Sequence, residues 1–172
     1  MRKSVYGKTC SLRSVSDVAE LRVDPQALKV FLAAPSQVDI HFYWQALTYL
    51  LTGISDGGAE PLCYLFKGGE TIGQNEMGEV RYLNPEQVAR FNAAIANISP
   101  DDFGEELYDL KTLDANHIYP ERWQADGEDN DLLSNIRELY FYLQLFIKRT
   151  AEQGKGAVIA YQNTELYFED ED

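Results

Sequence analysis

The sequence predicts a single helix-rich α/β (α+β) domain packed around a small mixed β-sheet. Its 172 residues fit one domain, since single cores usually hold about 100–200 residues. Residues 131–153 carry apolar side chains at a spacing of three to four, which indicates a long amphipathic helix. The run AVIAY at residues 157–161 is apolar throughout its first four positions, which is typical of a strand covered on both faces.

The N-terminal part predicts one strand and two helices. Residues 5–12 are β-branched, aromatic and small, and they predict the opening strand. A short helix follows over residues 15–23. A second helix over residues 25–34 is indicated by Asp24 as its cap and Pro25 at its first position.

The aromatic stretch HFYWQALTYLLTG at residues 41–53 predicts a buried helix, because apolar side chains cover most of its circumference. Asp39 is its expected cap and Gly53 its expected end, which places a neutral, structural histidine in the first turn. Residues 54–78 contain six glycines and predict a long irregular connection around one short element, which the apolar run LCYLF at residues 62–66 marks. Residues 79–83 predict a strand.

Two further helix starts follow. Asn84 caps a helix that extends to residue 98, with a proline in the first turn and a glutamine at the third position. Ser99 and the proline after it predict a second helix over about 100–110, which carries most of its acids outward. Residues 117–129 predict irregular structure because proline and glycine interrupt them.

The ends of the long helix and of the domain are also indicated by the sequence. Asp129 or Asp131 caps the helix, and Gly154 ends it. We expect residues 1–164 to form the single domain and residues 165–172 to form an acidic C-terminal tail.

The charge distribution is the strongest indication of function. The net charge is −13, and residues 99–131 alone hold eleven acids against two bases. Binding to nucleic acid or to a membrane surface needs basic clusters, so neither is expected, whereas a basic protein partner fits. The predicted partner-binding residues are Asp101, Asp102, Glu105, Glu106, Asp109, Glu128, Asp129 and Asp131.

No motif predicts a catalytic residue, a cofactor or a metal site. A phosphate-binding loop is absent from the sequence. The acidic run that begins at Asp126 is not a calcium loop, because its sixth position is Asp131 rather than glycine and its twelfth is Arg137 rather than glutamate. Cys10 and Cys63 are too few for a disulfide scaffold, and we expect reduced, inert thiols. The N-terminus has no apolar signal region, so the expected location is cytoplasmic.

A small-molecule pocket is the alternative to a protein interface. His41 and His117 are the only histidines, and a general acid or base needs a positioned partner that the sequence does not provide. Aromatic side chains accompany His117 in an irregular segment. The alternative site therefore consists of Trp44, His117, Tyr119 and Trp123.

Several segments together resemble a known family. They are WQALTYLLTG (44–53), PLCYLFKGGETIG (61–73), VRYLNPEQVARF (80–91), HIYPERW (117–123) and YFYLQLFIKRTAEQGKGAVIAY (140–161). Their order is similar to that of the YfbM-like family, a bacterial domain of unknown function with the number 1877. The resemblance covers nearly the whole chain and implies a single α/β domain with helices around a small sheet. It implies no known reaction.

The resemblance also bears on function. Gln45 and Thr48 stand where relatives often carry histidines, so a histidine-based site of such relatives is not expected here. Some relatives look like immunity proteins encoded beside bacterial toxins. The first hypothesis is therefore an immunity protein without enzymatic activity, which covers the active site of a cognate toxin through its acidic surface. A small-molecule-binding or enzymatic domain, or a housekeeping interaction module, remains the alternative.

Overall fold

A computed structural model describes residues 3–127 and 131–168. These ranges contain five strands and seven helices. The strands are β1 (Lys3–Val15), β2 (Val38–His41), β3 (Glu70–Asn75), β4 (Gly78–Leu83) and β5 (Gly156–Phe168). The helices are α1 (Ala19–Val23), α2 (Pro25–Ala33), α3 (Trp44–Thr52), α4 (Pro85–Ile95), α5 (Leu110–Ala115), α6 (Trp123–Gly127) and α7 (Leu132–Glu152).

The strands form one sheet in the order β2-β1-β5-β4-β3. The predicted helix-rich α/β class is confirmed. The sequence analysis expected a mixed sheet, whereas every strand pairing described is antiparallel. The difference arises because β5 returns from the long α7 in the direction opposite to both of its neighbours, β1 and β4.

Side chains from both faces of the sheet are buried. Ala157, Ile159 and Tyr161 of β5 belong to the larger core, which contains buried residues of α3, α4 and α7. Val158 and Ala160 point to the other face and join a smaller core with residues of α1 and α2. A strand with both faces buried needs apolar side chains at successive positions, which explains the run that predicted it.

Local capping signals account for three helices. Asn84 and Gln87 form the reciprocal capping box of α4, Asp24 accepts the Gln26 N–H at the start of α2, and Asp131 accepts the Ser134 N–H at the start of α7. These interactions confirm the predicted helix starts. No helix within the described ranges combines the length and apolar character needed to cross a membrane.

The helix predicted from Asp39 begins later than expected. Residues 38–41 form β2, with the side chains of Val38 and Ile40 buried and those between them exposed. This alternation has the period of a strand, and it places His41 at the end of β2 rather than in a helical turn. The helix itself starts at Trp44 and ends, as predicted, at Gly53 with a positive φ of 71°.

Three other predictions are wrong in part. Residues 117–129, predicted to be irregular, contain α6 (Trp123–Gly127). The connection predicted over residues 54–78 contains β3, which forms a hairpin with β4. Residues 100–107, predicted as helical, form successive turns instead, and α5 begins only at Leu110. Gly104 has a φ of +79°, a left-handed conformation that interrupts a right-handed helix.

The first and last strands are longer than predicted. They pair along their whole length, from Lys3 opposite Phe168 to Val15 opposite Gly156. Residues 165–168 of the predicted acidic tail therefore lie in β5, and residues 169–172 lie outside the described part of the chain.

Candidate protein-binding site

The acidic loop (residues 99–109) is anchored on α7 by a buried aromatic pair. The ring of Phe103 stacks on that of Tyr140 with centroids 4.0 Å apart and planes 7° from parallel. The Arg137 Nε–H donates a hydrogen bond of 2.9 Å to the Phe103 carbonyl. These contacts fix the middle of the loop beside the first half of α7.

The start of the loop is held by hydrogen bonds from α7. The Tyr140 hydroxyl donates to the carbonyls of Ile95 and Ile98, at 3.1 and 2.8 Å. The Gln144 amide donates to the same two carbonyls. The Ile95 carbonyl also accepts the Ile98 N–H, at 3.1 Å. The side-chain bonds from Tyr140 and Gln144 join the end of α4 and the start of the loop to α7. Burial raises the pKa of the Tyr140 hydroxyl.

The predicted acids divide into exposed groups and helix caps. Asp109 accepts the Lys111 and Thr112 N–H groups at the start of α5. Asp131 caps α7 in the same way, so both carboxylates have structural tasks. Glu128 and Asp129 lie outside the described residues. The remaining predicted acids, Asp101, Asp102, Glu105 and Glu106, are exposed on the acidic loop.

A surface depression brings two of the predicted acids together. Asp101 of the acidic loop and Asp131, the N-cap of α7, line a space of about 430 Å³. Glu138 and Phe141 of α7 complete its charged and apolar lining, and Arg137 contributes one positive charge. We call this space the acidic depression. Asp102, Glu105, Glu106 and Asp109 are not among its lining residues.

Sequence reasoning missed Glu138 and Phe141. The side chain of Phe141 is 47% exposed, and so is that of Tyr142, whose ring meets it at 62° with centroids 5.6 Å apart. Both aromatic residues fall outside the apolar stripe that predicted the buried face of α7. An aromatic residue off the buried stripe of an amphipathic helix is the signal that could have identified them.

The alternative aromatic site is filled by its own side chains. Trp44 is 7% exposed and stacks on Tyr119 with centroids 5.3 Å apart, and Trp123 is 1% exposed. The Trp123 indole N–H donates to the Ile118 carbonyl at 2.8 Å. His117 has a side chain that is 79% exposed, with Nδ1 3.7 Å from a carboxylate oxygen of Glu121. The structure therefore separates the histidine from the buried aromatic residues.

Trp44 and Tyr119 continue the edge of the sheet where β2 stops. The last β1–β2 pair joins Cys10 and His41. Beyond it, the Lys8 N–H donates to the Tyr119 hydroxyl at 2.6 Å, and the Trp44 indole N–H donates to the Lys8 carbonyl at 3.0 Å. These two side chains satisfy backbone groups that a longer β2 would have paired.

Gln45 and Thr48 also have structural partners. The Gln45 side-chain carbonyl accepts the Tyr119 N–H at 2.8 Å, and its amide donates to the Ser55 carbonyl at 2.9 Å. The buried Thr48 hydroxyl donates to the Trp44 carbonyl, one helical turn earlier. Gln45 thus ties two loops to α3, at a position where the family resemblance places histidines in relatives.

Tyr161 lies at the centre of a cluster with two cations. The Lys8 ammonium is 4.3 Å from the Tyr161 ring centroid and 5.1 Å from that of Trp44. The buried Arg81 guanidinium donates to the Tyr161 hydroxyl and to the Gly68 carbonyl, at 2.9 Å each. Tyr161 in turn donates to the Leu65 carbonyl. Ring faces and neutral oxygens stabilise both cations here, since no described carboxylate forms an ion pair with either.

The two thiols are free and buried, which confirms the expectation of reduced cysteines. Burial raises the pKa of Cys10 from its ordinary value of 9.0 to about 12. Burial also raises the pKa of Cys63. Both thiols therefore stay protonated near neutral pH, which makes them poor nucleophiles.

We expect Cys10 to make the fold sensitive to alkaline pH. The unfolded thiol loses its proton near pH 9, whereas the folded thiol keeps it until about pH 12. The contribution of Cys10 to the free energy of unfolding is therefore fully present below pH 9, and it is lost as the pH rises from 9 to 12. The loss is on the order of 1 kcal/mol per pH unit. Urea unfolding at pH 8 and pH 10 measures it, with Cys10→Ala as the control. Equal pH dependence of the two proteins would contradict a buried Cys10 thiol.

A comparison with protein-family models identifies the family of this chain. The model for a domain of unknown function, DUF1877, matches residues 10–160. The chain belongs to the DUF1877 family. The resemblance to this family is therefore confirmed, and the match includes β2, β3, β4, parts of β1 and β5, and the acidic loop with α7. No curated protein matches the sequence.

The DUF1877 fold also occurs in a solved structure. The chain is similar to the crystal structure of a protein of unknown function, YfbM from Escherichia coli, with a TM-score of 0.68 and 18% sequence identity. The similarity covers 90% of this chain and 99% of that one. At this identity the likeness concerns the fold alone.

Proposed function

We propose that this DUF1877 protein is an inhibitor that binds a basic protein partner at the acidic loop and the first half of α7. More specifically, we propose an immunity protein that neutralises a cognate bacterial toxin in the cytoplasm by covering the active site of the toxin. Neither nucleic acid nor a membrane is needed for this role. The observation that carries the proposal is the acidic depression, which is lined by Asp101, Asp131 and Glu138 together with the exposed Phe141.

The charges of this surface are available to a partner. Asp101 and Glu138 are exposed, and neither forms an ion pair within the described part of the chain. Unpaired carboxylates of one sign accelerate the encounter with a basic protein and favour the orientation in which opposite charges meet. Binding in that orientation suffices to block a basic active site, so the inhibitor needs no chemistry of its own.

Co-expression with the neighbouring reading frame tests the proposal. We expect the protein encoded beside this gene to arrest growth when expressed alone, to be harmless when expressed with this chain, and to co-purify with it. An acidic protein of another fold serves as the control for nonspecific neutralisation of charge. Growth arrest that persists together with failure to co-purify would refute the proposed function.

A further inference from the structure

Phe141 is exposed at a place where the helix gives it no packing role in the core. The buried face of α7 carries Ile136, Tyr140, Leu143 and Ile147. Phe141 points away from this face and keeps 47% of its surface accessible. Exposed aromatic residues beside polar groups are frequent anchors of protein interfaces, because a large rigid ring gains contact area at a low entropic cost.

The surroundings of Phe141 differ on its two sides. On one side lies the acidic depression, whose carboxylates belong to Asp101, Asp131 and Glu138. On the other side lies a second depression of about 380 Å³, bordered by α4 and by Gln144 of α7. Phe141 lines both spaces and therefore forms the ridge between them.

The ring and the carboxylates together suit one kind of cation. An arginine guanidinium is planar and weakly hydrated, so it stacks on an aromatic face while its N–H groups pair with carboxylates. A lysine ammonium is compact and strongly hydrated, and it gains less from the ring. Arg137 leaves room for an added cation, because its Nε–H is directed to the Phe103 carbonyl and three carboxylates outnumber its single charge.

We infer that Phe141 is the anchor of the interface and that it receives an arginine from a basic segment of the partner. The arginine stacks on the Phe141 ring and pairs with Glu138 or Asp101. This inference rests on the proposed function for its partner, but the binding chemistry stands on its own. The surface should therefore bind protein segments that contain arginine more tightly than segments that carry the same positive charge on lysine.

Titration with two short peptides of equal length, oligo-arginine and oligo-lysine, tests the inference on the purified chain. We expect the arginine peptide to bind several-fold more tightly than the lysine peptide at the same salt concentration. Phe141→Ala should weaken arginine binding by about tenfold and abolish the preference. Phe141→Leu keeps the apolar bulk without the aromatic face, and it should abolish the preference as well.

Tyr6→Ala is the matched control. Tyr6 is also an exposed aromatic residue, but it lies on β1 and lines neither of the two depressions beside Phe141. We expect this variant to bind both peptides within twofold of the unchanged chain. Equal affinities for the two peptides, or an affinity unaffected by Phe141→Ala, would overturn the inference. Toxin rescue tests the proposed function separately. If Phe141→Ala rescues growth as well as the unchanged chain does, the proposed function is retained and Phe141 is not the anchor.

Discussion

Replacing Asp101 and Glu138 together with lysine lowers the affinity for the proposed partner by about 100-fold. The reason is that close charge pairs across such interfaces couple by about 1.5 kcal/mol or more, and two such pairs become repulsive. Both residues are exposed and free of ion pairs with other described residues, so the fold should not depend on them. The measurement is surface binding kinetics at low and physiological salt.

The choice of residues follows from the structure. Asp109 and Asp131 cap helices, and their replacement would cost about 1 kcal/mol of stability in addition to any effect on binding. Glu76→Lys with Glu79→Lys is the matched control, because it changes the net charge equally on the β3–β4 hairpin. If the control pair weakens binding as much as the test pair, the partner responds to total charge and the acidic depression is not the interface.

Replacing Tyr161 with alanine destabilises the fold by about 3–5 kcal/mol, the range for removing a buried aromatic side chain. Tyr161 makes an edge contact with Trp44 at 5.3 Å, and its hydroxyl accepts a hydrogen bond from Arg81. Its removal leaves a cavity and deprives a buried guanidinium of an acceptor. Chemical denaturation measured at pH 7 gives the difference in the free energy of unfolding.

Tyr161→Phe separates the two contributions. The ring and its contacts with Lys8 and Trp44 remain, and only the hydroxyl is lost. We expect a cost of about 1–3 kcal/mol, mainly from the unsatisfied N–H group of Arg81. A phenylalanine variant as stable as the unchanged chain would show that Arg81 finds another acceptor.

Features set by a few neighbouring residues were predictable from the sequence. The caps of α2, α4 and α7 form hydrogen bonds over two or three residues. Asp24 and Asn84 therefore identified two of these helix starts, and for α7 the sequence left a choice between Asp129 and Asp131. Features that depend on distant partners were not predictable. The strand β3 is mostly exposed, with Ile72 as its one buried side chain, and it is a strand because β4 lies beside it. The same limitation explains the late start of α3, since residues 38–41 pair with β1.

Of the candidate site, only its negative charge was predictable from the sequence. The sequence located the acids, but not the turns that carry Asp101 next to Asp131. Those turns depend on the stack of Phe103 on Tyr140 and on the left-handed conformation of Gly104. In the sequence, by contrast, Ser99 followed by a proline predicted a helix. The aromatic alternative was plausible from composition, because burial of Trp44 and Trp123 cannot be distinguished from pocket lining without the packing around them.

The position of β5 determines the order in which the sheet can be completed during synthesis. The strand that lies between β1 and β4 is the last of the five to leave the ribosome. Until residues 156–168 emerge, β1 and β4 lack the neighbour that they share in the finished sheet, so we expect each to present an open edge. Open edges are templates for pairing with other chains, so the nascent protein is most prone to aggregate in this interval. Insertion of β5 closes both edges in one step, and a chain truncated before Gly156 cannot form the sheet.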